Sequence, residues 1–307
     1  MNLIPPRKNP GSNYYQYSPI VENTVLICYI YKFIMSNLVE TGIVIFQGRE
    51  YDGIDSVPGI TPVNKTRNMR FSPPGRNKQI PEIVKTSLDS GEVILSYRGA
   101  TLIPTNEGEF LGNLAARIAS EQADGSSYTV FDIGTGTGIL AILLEKGLRG
   151  KTGVVVASDI SGPALEVAEI NFRINGIQNP PELRRRDMLE GLVAEFGRPD
   201  LIVSNPPFYT EGRYCGNGFD PDIALNGGAD GLNFYNRLFA QSAGVLSDQG
   251  LIIAQIQDMN LTRILRSLER FLPGVRAGIV VGPQERICGL VAGSKESVSR
   301  YSHQVVF

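Results

Sequence analysis

The chain reads as an α/β protein, a doubly wound parallel sheet preceded by a smaller strand- and loop-rich region. Three observations predict this. From Tyr128 onward, short apolar runs alternate with helical stretches of ten or more residues. Such alternation implies right-handed crossovers and a sheet covered on both faces. The first of these runs leads straight into Phe131-Asp132-Ile133-Gly134-Thr135-Gly136-Thr137-Gly138, a glycine-rich turn that opens a helix. The N-terminal part lacks this rhythm: residues 1–22 are rich in Pro, Asn, Ser and Tyr, and residues 47–79 in Gly, Pro, Asn and Arg.

Taken in order, residues 23–46 carry β-branched and aromatic runs, VLICYIYKFI and GIVIF. They are expected as strands with a turn near Ser36-Asn37, and periodicity leaves a short helix open there. A strand pair is expected at 92–97 and 100–103, joined by Arg98-Gly99. A helix follows over 107–121, with Phe110, Leu111, Leu114, Ala115 and Ile118 on one face. Strands are then expected at 129–133, 154–160, 183–186, 200–205 and 251–256, and helices over 138–148, 163–174, 232–246 and 261–271. A short helix is expected after Asp187, and two last β segments at 275–281 and 286–307. This divides the chain into a substrate-recognition or lid region, 1–90, and a seven-stranded ligand-binding domain, 91–307.

Composition narrows the class. At 307 residues the chain can bury a sizeable core, and its net charge of −2 gives no bias toward nucleic acid or an anionic membrane. Cys28, Cys215 and Cys288 lie far apart, with no CxxC and no histidine nearby. They suit neither a disulfide framework nor a zinc site, so a reducing cytoplasm and no metal are expected. The N-terminal MNLIPPRKNPGS lacks the order of a signal peptide. The longest apolar run, 24–35, contains Lys32 and falls short of the roughly 20 residues that span a bilayer. His303 is the one histidine, so no Ser-His-Asp system is expected.

The chemistry-bearing residues follow the strands. Glycines at 134, 136 and 138 let the backbone turn sharply near a ligand, and the helix start offers unpaired N–H groups. Dinucleotide enzymes also use such turns, but the spacing here is G-x-G-x-G, with Asp132 inside the strand end and Thr135 within the turn. Asp159, ending the second strand beside Ile160, can accept hydrogen bonds from two ribose hydroxyls. Asp187-Met188, after the third strand, suits an adenine: a carboxylate for its amino group and a thioether for its ring face. Together these point to an adenosine-containing ligand. Ser204-Asn205-Pro206-Pro207-Phe208 ends the fourth strand. Its two prolines remove N–H donors and stiffen the bend. The Asn205 side-chain oxygen and the Pro206 carbonyl can then accept both hydrogens of a planar NH2 group, with Phe208 stacking on its flat face. Such a site works mainly by positioning.

These motifs resemble the class I, amino-methylating S-adenosylmethionine-dependent methyltransferases. Residues 221–235, PDIALNGGADGLNFY, and Leu102-Ile103-Pro104 with 107–111 are similar to HemK-type release-factor glutamine methyltransferases. The likeness spans about 91–259. It implies a Rossmann-like methyltransferase sheet with S-adenosylmethionine as donor. It places Gly134, Gly136, Gly138, Asp159, Met188 and Asn205 on that donor, and Asn205 to Phe208 on the acceptor. Three features depart from the family: Phe208 stands where Tyr is usual, Thr105-Asn106 replaces a basic-proline pair, and residues 1–90 are not a small helical domain. The expected function is methylation of a planar nitrogen, either a protein glutamine or an amide, guanidine or heteroaromatic nitrogen of a small molecule. Two other readings stay open. One is a nucleic-acid amino methyltransferase gripping phosphates with the basic loop 65–78, aided by Arg184-Arg185-Arg186. The other is a non-catalytic nucleoside-binding module or an NAD-dependent oxidoreductase.

Overall fold

Apolar runs from Tyr128 onward become strands because they are buried on both faces, as a parallel sheet between helical layers requires. The computed structural model describes residues 83–123, 127–211, 218–282 and 286–301, with short strands at Arg7–Lys8, Tyr15–Gln16 and Ile43–Ile45. The basic loop 65–78, the turn at Ser36-Asn37, Cys28, Cys215 and His303 lie outside the described residues.

From residue 83 the chain opens on a hairpin, in which β1 (Ile83–Ser87) pairs antiparallel with β2 (Val93–Tyr97). Helix α1 (Asn106–Gln122) follows, its Thr105 cap accepting from the Gly108 N–H. Then come β3 (Tyr128–Ile133), α2 (Ile139–Gly147), β4 (Gly153–Asp159), α3 (Gly162–Ile174), β5 (Glu182–Arg185), α4 (Leu192–Phe196) and β6 (Leu201–Ser204). After a long loop come α5 (Asn233–Ser242), β7 (Leu251–Gln255), α6 (Leu261–Phe271), β8 (Arg276–Gly282), β9 (Arg286–Gly293) and α7 (Lys295–Ser299).

The sheet runs β8-β9-β7-β6-β3-β4-β5, and Ile43–Ile45 adds a short antiparallel edge beside β8. β7, β6, β3, β4 and β5 are mutually parallel, while β9 runs antiparallel between β7 and β8. This is the expected doubly wound sheet of seven strands. Side chains alternate across it. Val130, Val155, Leu201 and Ile253 point into one apolar layer with α1, α2 and α3. Phe131, Val156, Ile202 and Ile252 point into the other, with α4, α5 and α6. Strand order reverses between β3 and β6, and ligands of such sheets bind beyond the strand ends at that reversal.

Three expectations need correction. Residues 100–103 form no strand, and β2 pairs with β1 instead; the hairpin therefore crosses the boundary drawn at residue 90. The reason is local. The Ala100 and Thr101 N–H groups return to the Tyr97 carbonyl, and the Ile103 N–H goes to the Asp220 side chain, 3.0 Å away. Helix α5 stops at Ser242 rather than 246, because Gly244 turns the chain at φ +73°. The last β segment ends at Gly293, where Ser294 caps α7 by accepting from the Ser297 N–H.

Candidate functional site

The reversal point holds the cleft. Its floor is the turn after β3, where Gly134, Gly136 and Gly138 adopt φ of +72°, +55° and +80°. Gly138 leaves no room for a side chain: a Cβ there would lie 2.7 Å from Phe172, whereas one on Gly134 would make ordinary contact with the Phe234 ring at 3.7 Å. The turn is held from below. Asp132 is fully buried and accepts from the Thr135 hydroxyl at 2.7 Å, and its other oxygen has no partner. Burial, with Asp159 nearby, pushes its carboxyl up to about 7. Asp132 therefore supports the turn from beneath, while Thr135, Gly134 and Gly136 line the cleft.

Asp159 ends β4 in the cleft wall. One oxygen accepts from the Gly136 N–H at 3.0 Å and the other from the Ser161 N–H at 2.9 Å. Burial raises its pKa, and these backbone donors pull it back down. Each oxygen keeps a lone pair for a further donor. Ile160 beside it is about half exposed at the cleft mouth. Met188 is buried at φ +60°, a strained value for a side-chain-bearing residue, and it lines the cleft. Asp187 is not simply free for an incoming amino group: its carboxylate pairs with Arg237 at 2.8 Å. Arg184 and Arg186 are held by Glu195, and Arg185 donates to the Ile160 carbonyl.

The second turn follows β6. Ser204 donates to the Ile133 carbonyl at 2.7 Å, which locks the two turns side by side. Asn205 and Pro207 line the cleft, Pro206 is buried, and Phe208 is half-buried with its ring 4.8 Å from that of Tyr209. The loop then folds back on itself: Tyr209 N–H donates to the Leu225 carbonyl and Gly227 N–H to that of Tyr209. Asn260 donates to the Phe208 carbonyl at 3.0 Å.

Two asparagines that the sequence did not single out help to complete the walls. Asn171 of α3, fully buried, accepts from the Leu95 N–H and donates to the Leu95 and Thr137 carbonyls. Asn175, one turn on, repeats the pairing with Val93. These two side chains act as an extra strand edge for β2 and bind the hairpin to the glycine turn. That leaves Ala100, Thr101, Leu102 and Pro104 against one side of the cleft. Gly99 N–H reaches the Phe219 carbonyl at 2.7 Å, joining this side to the loop that carries Pro221 and Ile223. Phe234 and Arg237 of α5 close the far wall. The i, i+4 asparagines were the available signal for the hairpin dock, but they look like ordinary helix surface.

The cleft encloses about 270 Å³, close to the lower size of ligand pockets, and its lining is mostly apolar with a few fixed polar groups. No group of His, Cys, Asp and Glu among the described residues is placed to hold a metal. No described helix is long and apolar enough to cross a membrane.

Comparison with known proteins supplies independent evidence. The family described as "Methyltransferase small domain" matches residues 114–217. The chain is 32% identical over 145 residues to a release factor glutamine methyltransferase of Clostridium acetobutylicum, covering 46% of this chain and 50% of that protein. It is 32% identical over 182 residues to the Deinococcus radiodurans protein of the same name, covering 58% and 62%. It is also 36% identical over 129 residues to a ribosomal protein uL3 glutamine methyltransferase of Bordetella pertussis, covering 41% and 42%. The matched part thus spans about half the length of these curated relatives.

Proposed function

We propose that this chain is an S-adenosylmethionine-dependent N-methyltransferase whose acceptor is the side-chain amide of a protein glutamine. One observation carries the reading: the glycine turn with Asp159 and the Asn-Pro-Pro-Phe turn sit side by side at the strand reversal, tied by Ser204. The relatives' activity on glutamine supports the choice of acceptor.

The residues present fit such a donor. Asp159 is fixed by two backbone N–H groups and would accept from both ribose hydroxyls. The turn at Gly134 to Gly136 gives its backbone to the amino acid end, with no side chain in the way. Met188 and Ile160, both lining the cleft, would pack on the adenine, and Asp187, steadied by Arg237, would meet its amino group. When bound, the donor supplies an electrophilic methyl on a sulfonium.

The chain's own part is to aim the nitrogen. Asn205 Oδ1 and the Pro206 carbonyl accept the two amide hydrogens, so that the nitrogen lone pair faces the methyl. As the nitrogen becomes positive, those two oxygens bind it more strongly. The Phe208 and Tyr209 rings pack beside this turn, outside the cleft lining, and Phe208 rests on the apolar layer. No strong base is required, because the charged product loses its proton readily.

Transfer of labelled methyl to a short glutamine-containing peptide tests this. The wild-type chain is expected to label the peptide, and Asn205→Ala to slow single-turnover transfer about 10²- to 10³-fold with donor affinity nearly unchanged. Full-rate transfer by a folded Asn205→Ala chain would make the turn merely structural and remove the planar-nitrogen assignment.

A further inference from the structure

Behind the Asn-Pro-Pro-Phe turn lies a buried polar group that the proposed reaction leaves unused. Gln255 ends β7, one residue past Ala254, which pairs with Ser204 of β6. It is only 6% exposed, and its Oε1 is buried without a hydrogen-bond partner. A buried amide oxygen lacking a donor calls for a reason. Its neighbours supply one. A Cβ built on Gly108 would lie 3.5 Å from Gln255 Oε1, 3.6 Å from Thr105 Oγ1 and 3.9 Å from Asn205 Nδ2. Three polar atoms thus converge on a niche that exists because residue 108 has no side chain. Thr105 Oγ1 already accepts the Gly108 N–H at 3.2 Å.

We propose that Gln255 is a positioning residue that keeps the Asn205 amide turned so that Nδ2 faces this niche and Oδ1 faces the acceptor nitrogen. The proposal rests on the methyl-transfer reading. An asparagine amide turns over easily about χ2, because that torsion is broad and nearly two-fold. The flipped form would offer N–H groups to an acceptor that is itself NH2, donor against donor. It would also turn Asn205 Oδ1 toward the niche lined by Gln255 Oε1, where low dielectric strengthens the repulsion between like partial charges. The unpartnered oxygen therefore penalises the unproductive form. Gln255 is not part of the cleft wall, whereas Asn205 is, so its effect passes through Asn205.

Two substitutions separate the oxygen from the packing. Gln255→Met keeps length and removes the oxygen; Gln255→Glu keeps an oxygen in the same place. The readouts are turnover on a short glutamine-containing peptide, donor affinity by calorimetry, and the nuclear Overhauser contact between the Asn205 side-chain amide and Gly108. Gln255→Met is expected to lower turnover about tenfold, with donor affinity and peptide KM within about twofold of wild type. It should also weaken the Overhauser contact, and Gln255→Glu should restore both. Wild-type turnover and an undiminished contact in Gln255→Met would overturn the proposal, as would equal impairment in the two variants, which indicates packing alone. If the wild-type chain labels no glutamine peptide, the function reading falls, and the Overhauser contacts of the three proteins still decide the role of Gln255.

Discussion

Gly138 is the residue on which the glycine turn closes. It has φ +80°, caps α2, and leaves its missing side chain facing Phe172 at 2.7 Å and Ala168 at 3.1 Å. An alanine there meets two separate penalties, a left-handed backbone and an overfilled contact. Gly138→Ala should lose about 2–5 kcal/mol of stability, summing those two effects. Urea denaturation measures it, and a loss below about 0.5 kcal/mol would show that the turn can relax. The place of Gly138 in a left-handed turn was legible from its spacing, as was the place of Asp159 at the end of the second strand. Asp132 was less legible. Its place inside the strand end could be read, but the structure puts it beneath the turn, with one oxygen on Thr135 and the other unpaired. Gln255 left no trace in sequence, since its meaning depends on Gly108 lying opposite.

At the scale of elements, the dock between α3 and the β1–β2 hairpin shapes one wall of the cleft. Asn171 makes three hydrogen bonds to backbone groups, and none is replaced by a smaller side chain. Asn171→Ala should cost about 1–3 kcal/mol, the scale of leaving a buried backbone group unpaired, and should weaken donor binding as well. Asn175→Ala should cost less, because Asn175 is only half-buried. Equal stability and affinity in wild type and Asn171→Ala would mean that Leu88 and Ile94 hold the hairpin by packing alone. The parallel strands could be read from sequence because two-sided burial leaves continuous apolar runs such as Leu251 to Ala254. The hairpin partner could not. β1 reads IVKTS and is largely solvent-facing, and the Arg98-Gly99 turn suggested a nearer pairing. That turn does form, but the chain beyond it is drawn off by Asp220.

For the molecule as a whole, Asp132 links the site to pH. Its carboxyl lies at about 7 in the folded chain against an ordinary 3.8, chiefly through burial. The folded state therefore holds a proton across that window which the unfolded chain has lost. Linkage makes this contribution full below about 4 and lost as pH rises toward about 7. Wild-type stability should carry that downward slope, and Asp132→Asn should lack it; parallel urea midpoints across pH 4 to 8 for the two chains would contradict the assignment. At the same scale stands the claim that the reversal of strand order presents a nucleoside site with no place for a pyrophosphate. Isothermal titration calorimetry with S-adenosylmethionine and with NAD tests it most directly. The account predicts micromolar-range binding of S-adenosylmethionine, no comparable binding of NAD, and a loss of about 1–3 kcal/mol in donor affinity for Asp159→Ala. Binding of NAD with S-adenosylmethionine ignored would contradict it.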